Sequence, residues 1–544
     1  MAGLEGTIAG EHEMDLVSMN VGIGKGDGKV LGSERGREQE AARVFDMVSR
    51  GERWRHAAKA NPKALLWCSY SLFSCIMWGY DGLASSIVLA ISRFREDYGT
   101  FSYVKDNNDH EWAIPAIWQL GLGAASLIGL LVGGIGAGFL AKKYGRQLCM
   151  ALSYAFTIIG VFLQWFSAAS STKHGNMPML FGGKVLTGIP LGVFITIAPT
   201  YCAEIAPLPL RGAVTSAVNW SIVFGQCLAY VVIHQTQNLP SANSYRILFA
   251  VQWIFAAIGL GVLFFFPESP YFLVAQGRIE KAKENARRLY GRGFDVDGLI
   301  SSIELLLMHE AETQKTASFR ECFRGTNSKR TLIAMSTFFI QSICGIAWII
   351  GYMAYTLELG GLSDTSAFNV TMGLSFVMLI GNMFGWVFVE RYGRRGTALY
   401  GCITLAISLI VIGITGCFKQ GIWAQVVFMA VWSFTYQSTI GSVAWPIVTE
   451  VSKSSLRNHT QSLATITSGV VGAISGVCLP FMVNPDEANM GGKVGFVYGA
   501  LLGLSCVGVW MYYPETKGRT FAEIDRLFEM RVHPRKFART KLDD

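Results

Sequence analysis

This sequence predicts an all-α polytopic membrane protein, on three observations: a composition too apolar for a soluble chain, twelve apolar stretches of bilayer length, and basic residues gathered in alternate connections. Of 544 residues, 51% are hydrophobic and only 15% charged, against about 25% charged in soluble chains. Too few charged side chains are present to coat soluble cores of that size. The eight histidines, at 12, 56, 110, 174, 234, 309, 459 and 533, include no pair spaced for a helical metal site, so neither a metal nor a cofactor is expected. Eleven cysteines without C-x-x-C spacing read as small apolar packers. Glycine, at 60 residues, outnumbers proline at 15, which sets aside collagen-like and Pro-rich linker readings.

A hydrocarbon core about 30 Å thick needs about 20 apolar residues in a helix. That window places spans 1 to 6 at 65–91, 114–138, 148–169, 179–202, 213–234 and 246–266. Spans 7 to 12 follow at 331–356, 368–389, 397–416, 423–448, 459–482 and 493–513. The domains expected from this are a disordered cytoplasmic tail over 1–63, a six-helix half over 64–268 and a helical linker over 269–330. A second six-helix half over 331–514 and a cytoplasmic tail over 515–544 complete the chain. Residues 1–60 hold no signal-peptide core, and the Gly22 to Lys29 run lacks the spacing of a phosphate loop. The run from Gly133 to Gly138 in span 2 reads as close helix packing.

Orientation follows from short-loop charge. Connections after spans 2, 4, 8 and 10 carry Lys142, Lys143, Arg146, Arg211, Arg391, Arg394, Arg395, Lys453 and Arg457, and the 269–330 linker is basic. Both termini are therefore expected in the cytoplasm. The loop after span 1, with Arg93, Arg95 and Lys105 among Glu96, Asp97, Asp106 and Asp109, departs from the pattern and reads as a minor exception.

The chain also repeats itself. Gly145-Arg146 recurs as Gly393-Arg394 at an offset of 248, and Glu204 with Arg211 as Glu450 with Arg457 at 246. Pro267-Glu268-Ser269 recurs as Pro514-Glu515-Thr516 at 247. Glu204 and Glu450 end apolar helices, where an unpaired carboxylate is costly, and Arg146 and Arg394 lie at the same level. Glu–Arg pairs within each half are the economical arrangement. They either latch the halves in one state as a gate or staple loops in every state.

With these motifs the chain resembles the sugar porter family of the major facilitator superfamily, over roughly residues 64–530. The motifs are Lys143-Tyr-Gly-Arg146, Arg391-Tyr-Gly-Arg-Arg395, Pro267-Glu-Ser-Pro270, Ala203-Glu-Ile-Ala-Pro207 with Arg211, and Pro514-Glu-Thr-Lys-Gly-Arg-Thr520. Within the family it is similar to the fungal maltose and α-glucoside permeases, through Gly351-Tyr-Met-Ala-Tyr355 with Glu358, Thr435-Tyr-Gln437, and Asn484-Pro485 with Gly491 to Phe496. The resemblance implies a major facilitator fold of twelve helices in two halves, and a plasma-membrane monomer taking a sugar and a proton. No nucleic-acid partner is expected.

Asp81 stands out because a carboxyl ten residues below Ile91, about 15 Å into the bilayer, is expensive and by default functional. Lys184 reaches a similar depth in span 4. In the resembled family, proton-coupled members carry an Asp and an Arg at these places; here the base is Lys, without a bidentate fork. Either the pair couples transport to protons or it is a static pair in a passive carrier. The resemblance also implies sugar contacts at Gln226 in span 5, Gln341 in span 7 and Trp445 in span 10. Trp220 and Ser342 stand where glutamines are usual, and Ala347 replaces an asparagine. Trp220, Trp348 and Trp445 with fewer amides point to a ligand larger or less polar than a free hexose, aromatic faces covering the C–H side of a ring. Asn369-Val-Thr371 is a glycosylation sequon. The function expected is proton-coupled import of an α-glucoside, maltose-type sugar or hexose. A facilitator, a carrier of a polyol, quinate-like acid or secondary metabolite, and a non-transporting sugar sensor stay open. No catalytic constellation points to an enzyme.

Overall fold

Pro62 opens the first long helix at the position where a missing N–H costs nothing, and apolar side chains then carry it to Ile87. A computed structural model describes residues 58–104, 110–168, 176–207, 210–239, 241–290, 294–316, 318–418, 421–453, 456–517, 519 and 521–540. The expected tail before residue 58, with the Gly22 to Lys29 run, lies outside the described residues.

Spans 1 to 6 are helices at Pro62–Ile87, Ala116–Tyr144, Arg146–Ser167, Met177–Ile205, Arg211–Thr236 and Asn243–Leu263. Spans 8 and 9 run through Asp364–Thr415 with a sharp bend at Gly393, and spans 11 and 12 are Arg457–Val483 and Val494–Tyr512. Eleven helices among the described residues are long and apolar enough to cross a bilayer. The twelfth crossing, span 10, is split: Ile422–Ser438 and Ile440–Val451 meet at Thr439, whose φ of −124° and ψ of −89° leave the helix. Span 7 is broken too. Gly325–Ile343 gives way to Ile346–Gly351 across Gly345, held at φ 88°, a left-handed angle that favours glycine. Met353–Leu359 extends it. The carbonyl of Cys344 at this break accepts the Trp432 indole N–H of span 10 at 3.0 Å, so one broken helix caps the other.

The glycines of span 2 let two backbones touch. A Cβ at Gly133 would strike the Ile189 carbonyl of span 4, and one at Gly192 the Leu130 carbonyl of span 2. Between spans 1 and 2, a short helix, Ser92–Tyr98, precedes a two-stranded hairpin pairing Phe101–Val104 with His110–Ala113. At the other end of the molecule the linker forms Pro270–Ala275, Ile279–Leu289 and Val296–Thr316. It docks beneath the first half through Asn285 on the Glu268 carbonyl at 3.0 Å and Tyr290 on the Ile205 carbonyl at 2.9 Å. After span 12 the chain forms Phe521–Glu529, tied to span 7 by an Arg330–Asp525 ion pair. These two faces are called below the hairpin end and the linker end.

Candidate functional site

The two repeats build the same joint twice. Gly145 has φ 92° and Gly393 φ 77°, and a Cβ at either would collide with the carboxylate of Glu268 or Glu515. The glycines thus bring each carboxylate against the first turn of the next helix, where free N–H groups need acceptors. Glu268 accepts from the backbone N–H of Arg146 at 3.0 Å and of Gln147 at 3.2 Å. Glu515 accepts from Arg394 at 2.9 Å and Arg395 at 3.2 Å. The same turns place Arg146 on Glu204 at 2.5 Å and Arg394 on Glu450 through contacts of 2.7 to 3.1 Å. Thr516 adds a hydroxyl to Glu450 at 2.5 Å. Arg457 is half-buried near Asp525; the side chain of Arg211 lies outside the described residues. Glu268 and Glu515 were visible in the sequence only as motif letters; their capping work needed the positive-φ glycines to be seen in place.

In the first half, Asp81 is 0% and Lys184 2% exposed, with Lys184 Nζ 3.5 Å from Asp81 Oδ1. Lys184 also donates to Ser85 Oγ at 2.9 Å and sits 4.6 Å from the Phe249 ring centroid. Gln252 of span 6 donates to Asp81 Oδ1 at 2.7 Å. Asp81 Oδ2 is buried with no hydrogen-bond partner among the described residues. Gln252 was missed in the sequence, although an amide between Val251 and Trp253 in an apolar run was a signal of the kind Asp81 gave.

The residues expected to meet a sugar divide into two groups. Gln341 reaches the Tyr436 hydroxyl just before the break in span 10. Next to it, Gln437 Oε1 accepts from Asn382 of span 8 at 3.2 Å and from Asn219 of span 5 at 3.5 Å. Two turns along span 5 from Asn219, Gln226 is half-buried with its Oε1 unpartnered among the described residues. Trp220 is half-buried and stacked on Phe224 at 5.2 Å. Trp445, 48% exposed, stands edge-on to Phe338 at 4.8 Å. Of these side chains, Asn219, Asn382, Gln341 and Gln437 gather where the halves meet, beside the break in span 10. Trp348 and Ser342 do not join them. Trp348 is 0% exposed, its N–H on Thr356 at 3.2 Å and its face toward Tyr498, so it is a core side chain here. Ser342 is buried against Ser468 of span 11 at 3.0 Å. Asn219 and Asn382 were missed: short amides in apolar spans are common packing residues, and only the shared partner Gln437 singles them out. Asn369 is exposed one turn into span 8, and Thr371 is buried with its hydroxyl on the Phe368 carbonyl at 3.0 Å.

Bonds between the halves gather toward the hairpin end. Arg95 of the helix after span 1 pairs with Glu358 after span 7 at 2.7 Å, both side chains at most 4% exposed. The loop charge read from sequence as a minor exception thus contains a buried inter-half ion pair. Ser92 meets Asp364, and Tyr230 donates to the Ile350 carbonyl at 3.0 Å.

Comparison with known proteins agrees with this architecture. The family described as sugar (and other) transporter matches residues 67–528. A general α-glucoside permease of Saccharomyces cerevisiae is 32% identical over 494 residues, covering 89% of this chain and 78% of the permease. Maltose permease MAL31 of the same yeast is 30% identical, covering 92% and 81%. MFS transporter fmqE of Aspergillus fumigatus is 31% identical, covering 89% and 91%. Among solved structures, the inward open conformation of the xylose transporter XylE from E. coli aligns with a TM-score of 0.69 at 20% identity, covering 85% of this chain and 99% of that one. At that identity it speaks to the fold alone.

Proposed function

The chain belongs to the sugar (and other) transporter family, and we propose that it imports an α-glucoside together with a proton at the plasma membrane. The single observation that carries the coupling is the buried Asp81, held through one oxygen by Gln252 and Lys184 with the other oxygen unpartnered among the described residues. In this reading the chain is a monomer with the linker end and both termini in the cytoplasm, in keeping with the basic loops there. Its working units are the two six-helix halves, 64–268 and 331–514, joined by the 269–330 linker and flanked by terminal tails.

Transport then follows from side-chain chemistry. A proton taken up on Oδ2 removes the charge that holds Lys184, leaving the ammonium to Ser85 and the Phe249 face. At Lys184 the link between spans 1 and 4 is thereby reduced from an ion pair to the single Lys184–Ser85 hydrogen bond, and this loosening is the step that a bound sugar shares. The sugar lies between the halves, where repeat-built carriers bind and rock. Gln226, Gln341, Gln437, Asn219 and Asn382 supply amides that both donate and accept, and Trp445 and Trp220 supply ring faces. Trp348 and Ser342 stay in the core in this reading and make no sugar contact. The cytoplasmic pairs Arg146–Glu204 and Arg394–Glu450, with Arg211 and Arg457, act as gate latches.

A second reading, a facilitator, draws on the 3.5 Å Asp81–Lys184 separation, which suits a static pair as well. The test is uptake of labelled maltose and glucose in a transporter-null yeast strain, at acidic and slightly alkaline external pH, with and without a protonophore, for the parent and Asp81→Asn. Protonophore-sensitive maltose uptake that collapses in Asp81→Asn is the expected result. Uptake indifferent to the protonophore makes the chain a facilitator. No uptake of either sugar from a chain at the cell surface removes the α-glucoside assignment.

A further inference from the structure

Three stretches set the chain beside the α-glucoside permeases, yet the sugar and proton sites leave most of their polar residues unused. Tyr355 and Glu358 follow the break in span 7, and Asn484 follows span 11. In the fold these distant positions converge at the hairpin end. Asn484 Oδ1 accepts from the Tyr355 hydroxyl at 2.7 Å and from Gln119 of span 2 at 2.7 Å. Its amide nitrogen donates to the Ile114 carbonyl at 3.1 Å and to Asp486. Asp486 in turn accepts from the backbone N–H of Ala116 at 3.4 Å. A single fully buried asparagine thus joins the second half to the start of span 2 in the first. Across the same end, Arg95 bridges Glu358 at 2.7 Å and the Leu89 carbonyl at 3.2 Å.

We propose that Arg95–Glu358 and the Asn484 hub form the outer gate, a seal between the halves that must break each time the carrier opens to the outside. The inference rests on the alternating-access reading above. Every bond named joins residues from different halves or orders the segments that do so. They are also more than a surface staple: the ion pair is almost wholly buried, and the hub exhausts both functional groups of Asn484. Opening exchanges these contacts for water, which hydrates the separated charges well; closing repays the desolvation only with the partners aligned. The seal is therefore strong in one state and cheap to lose in the other, as a two-state element requires. The cytoplasmic Arg–Glu pairs lie within single halves. The hairpin-end pair spans both, so it senses their separation directly.

The test reads conformation without a sugar, so its failure is separable from a failed uptake assay. Ser86 of span 1 faces Gly351 of span 7, where an added Cβ would lie 3.4 Å from its hydroxyl. Ser86→Cys is introduced, and labelling of whole cells by a membrane-impermeant maleimide is measured as the increment over the chain without it. Arg95→Ala, Glu358→Gln and Asn484→Ala are each expected to raise the labelling rate at least about tenfold, the shift that losing one buried partner gives. Unchanged labelling in all three, at parental surface amounts, overturns the proposal. Should the ion-pair variants be retained inside the cell, Arg95→Glu with Glu358→Arg is read instead. Return to the surface with parental labelling supports the pair, and continued retention overturns it.

Discussion

Removing Asp81 and Lys184 singly and together measures whether they act as one unit. Their charged atoms are 3.5 Å apart with both side chains buried, which at an effective dielectric near 20 corresponds to about 5 kcal/mol of attraction before desolvation. Desolvation cancels much of this, so replacing both groups is nearly neutral, whereas removing one strands the other at a cost of about 3–5 kcal/mol. Asp81→Asn is softened because the Gln252 bond at 2.7 Å can re-form on the amide oxygen, and Lys184→Met because it leaves Asp81 still bound by Gln252. Each single change is therefore expected at about 3 kcal/mol, the lower end of that range, and the double change at about 2 kcal/mol or less, a coupling near 4 kcal/mol. Equilibrium unfolding in denaturing mixed micelles supplies the four stabilities, and uptake measured alongside supplies the transport consequence. Single costs below about 1 kcal/mol that simply add in the double variant would refute the coupled pair. Asp81 would then owe its position to Gln252 alone.

Gly145→Ala and Gly393→Ala each force a side chain into a glycine-only backbone region and against a capping carboxylate. Each is expected to cost about 1–3 kcal/mol, read as lower thermal stability of the detergent-solubilised protein. On the proposed role of its half-exposed ring in stacking on the sugar, Trp445→Ala should leave surface amounts normal and weaken sugar affinity by about tenfold; competition uptake measures this. Trp348→Ala instead should lower stability by about 3–5 kcal/mol, as a large buried side chain does, with the affinity of the surviving protein unchanged. In the linker, the neighbouring Lys283 holds Asp297 below the usual carboxylate range, and Asp297 holds Lys283 above the usual lysine range. This stabilisation is present above the ordinary Asp range and lost as pH falls beneath it, and present up to the ordinary Lys range and lost as pH rises beyond it. The pair is exposed to screening solvent, so Lys283→Ala should not move the melting temperature at neutral pH in physiological salt.

Composition and pattern determined the lipid-facing class, the span positions and the duplication, because each rests on residues near one another in the chain. A helix in a bilayer satisfies its own backbone, so apolar length alone locates it, and Asp81 was conspicuous because a carboxyl in such a run has no local excuse. Breaks in spans 7 and 10 were not legible: a left-handed Gly345 and a distorted Thr439 are tolerated only where Trp432 and neighbouring helices take up the freed backbone groups. Partners were decided by packing. Arg95 and Glu358 are 263 residues apart and look like loop charges until the halves close on them. Gln119, Tyr355 and Asn484 likewise become one hub only when spans 2, 7 and 11 meet. Local sequence controls whether a segment enters the membrane, since hydrophobic transfer sums over that segment's own residues. Which polar groups then find each other depends on distances between segments, and those exist only after the helices have packed.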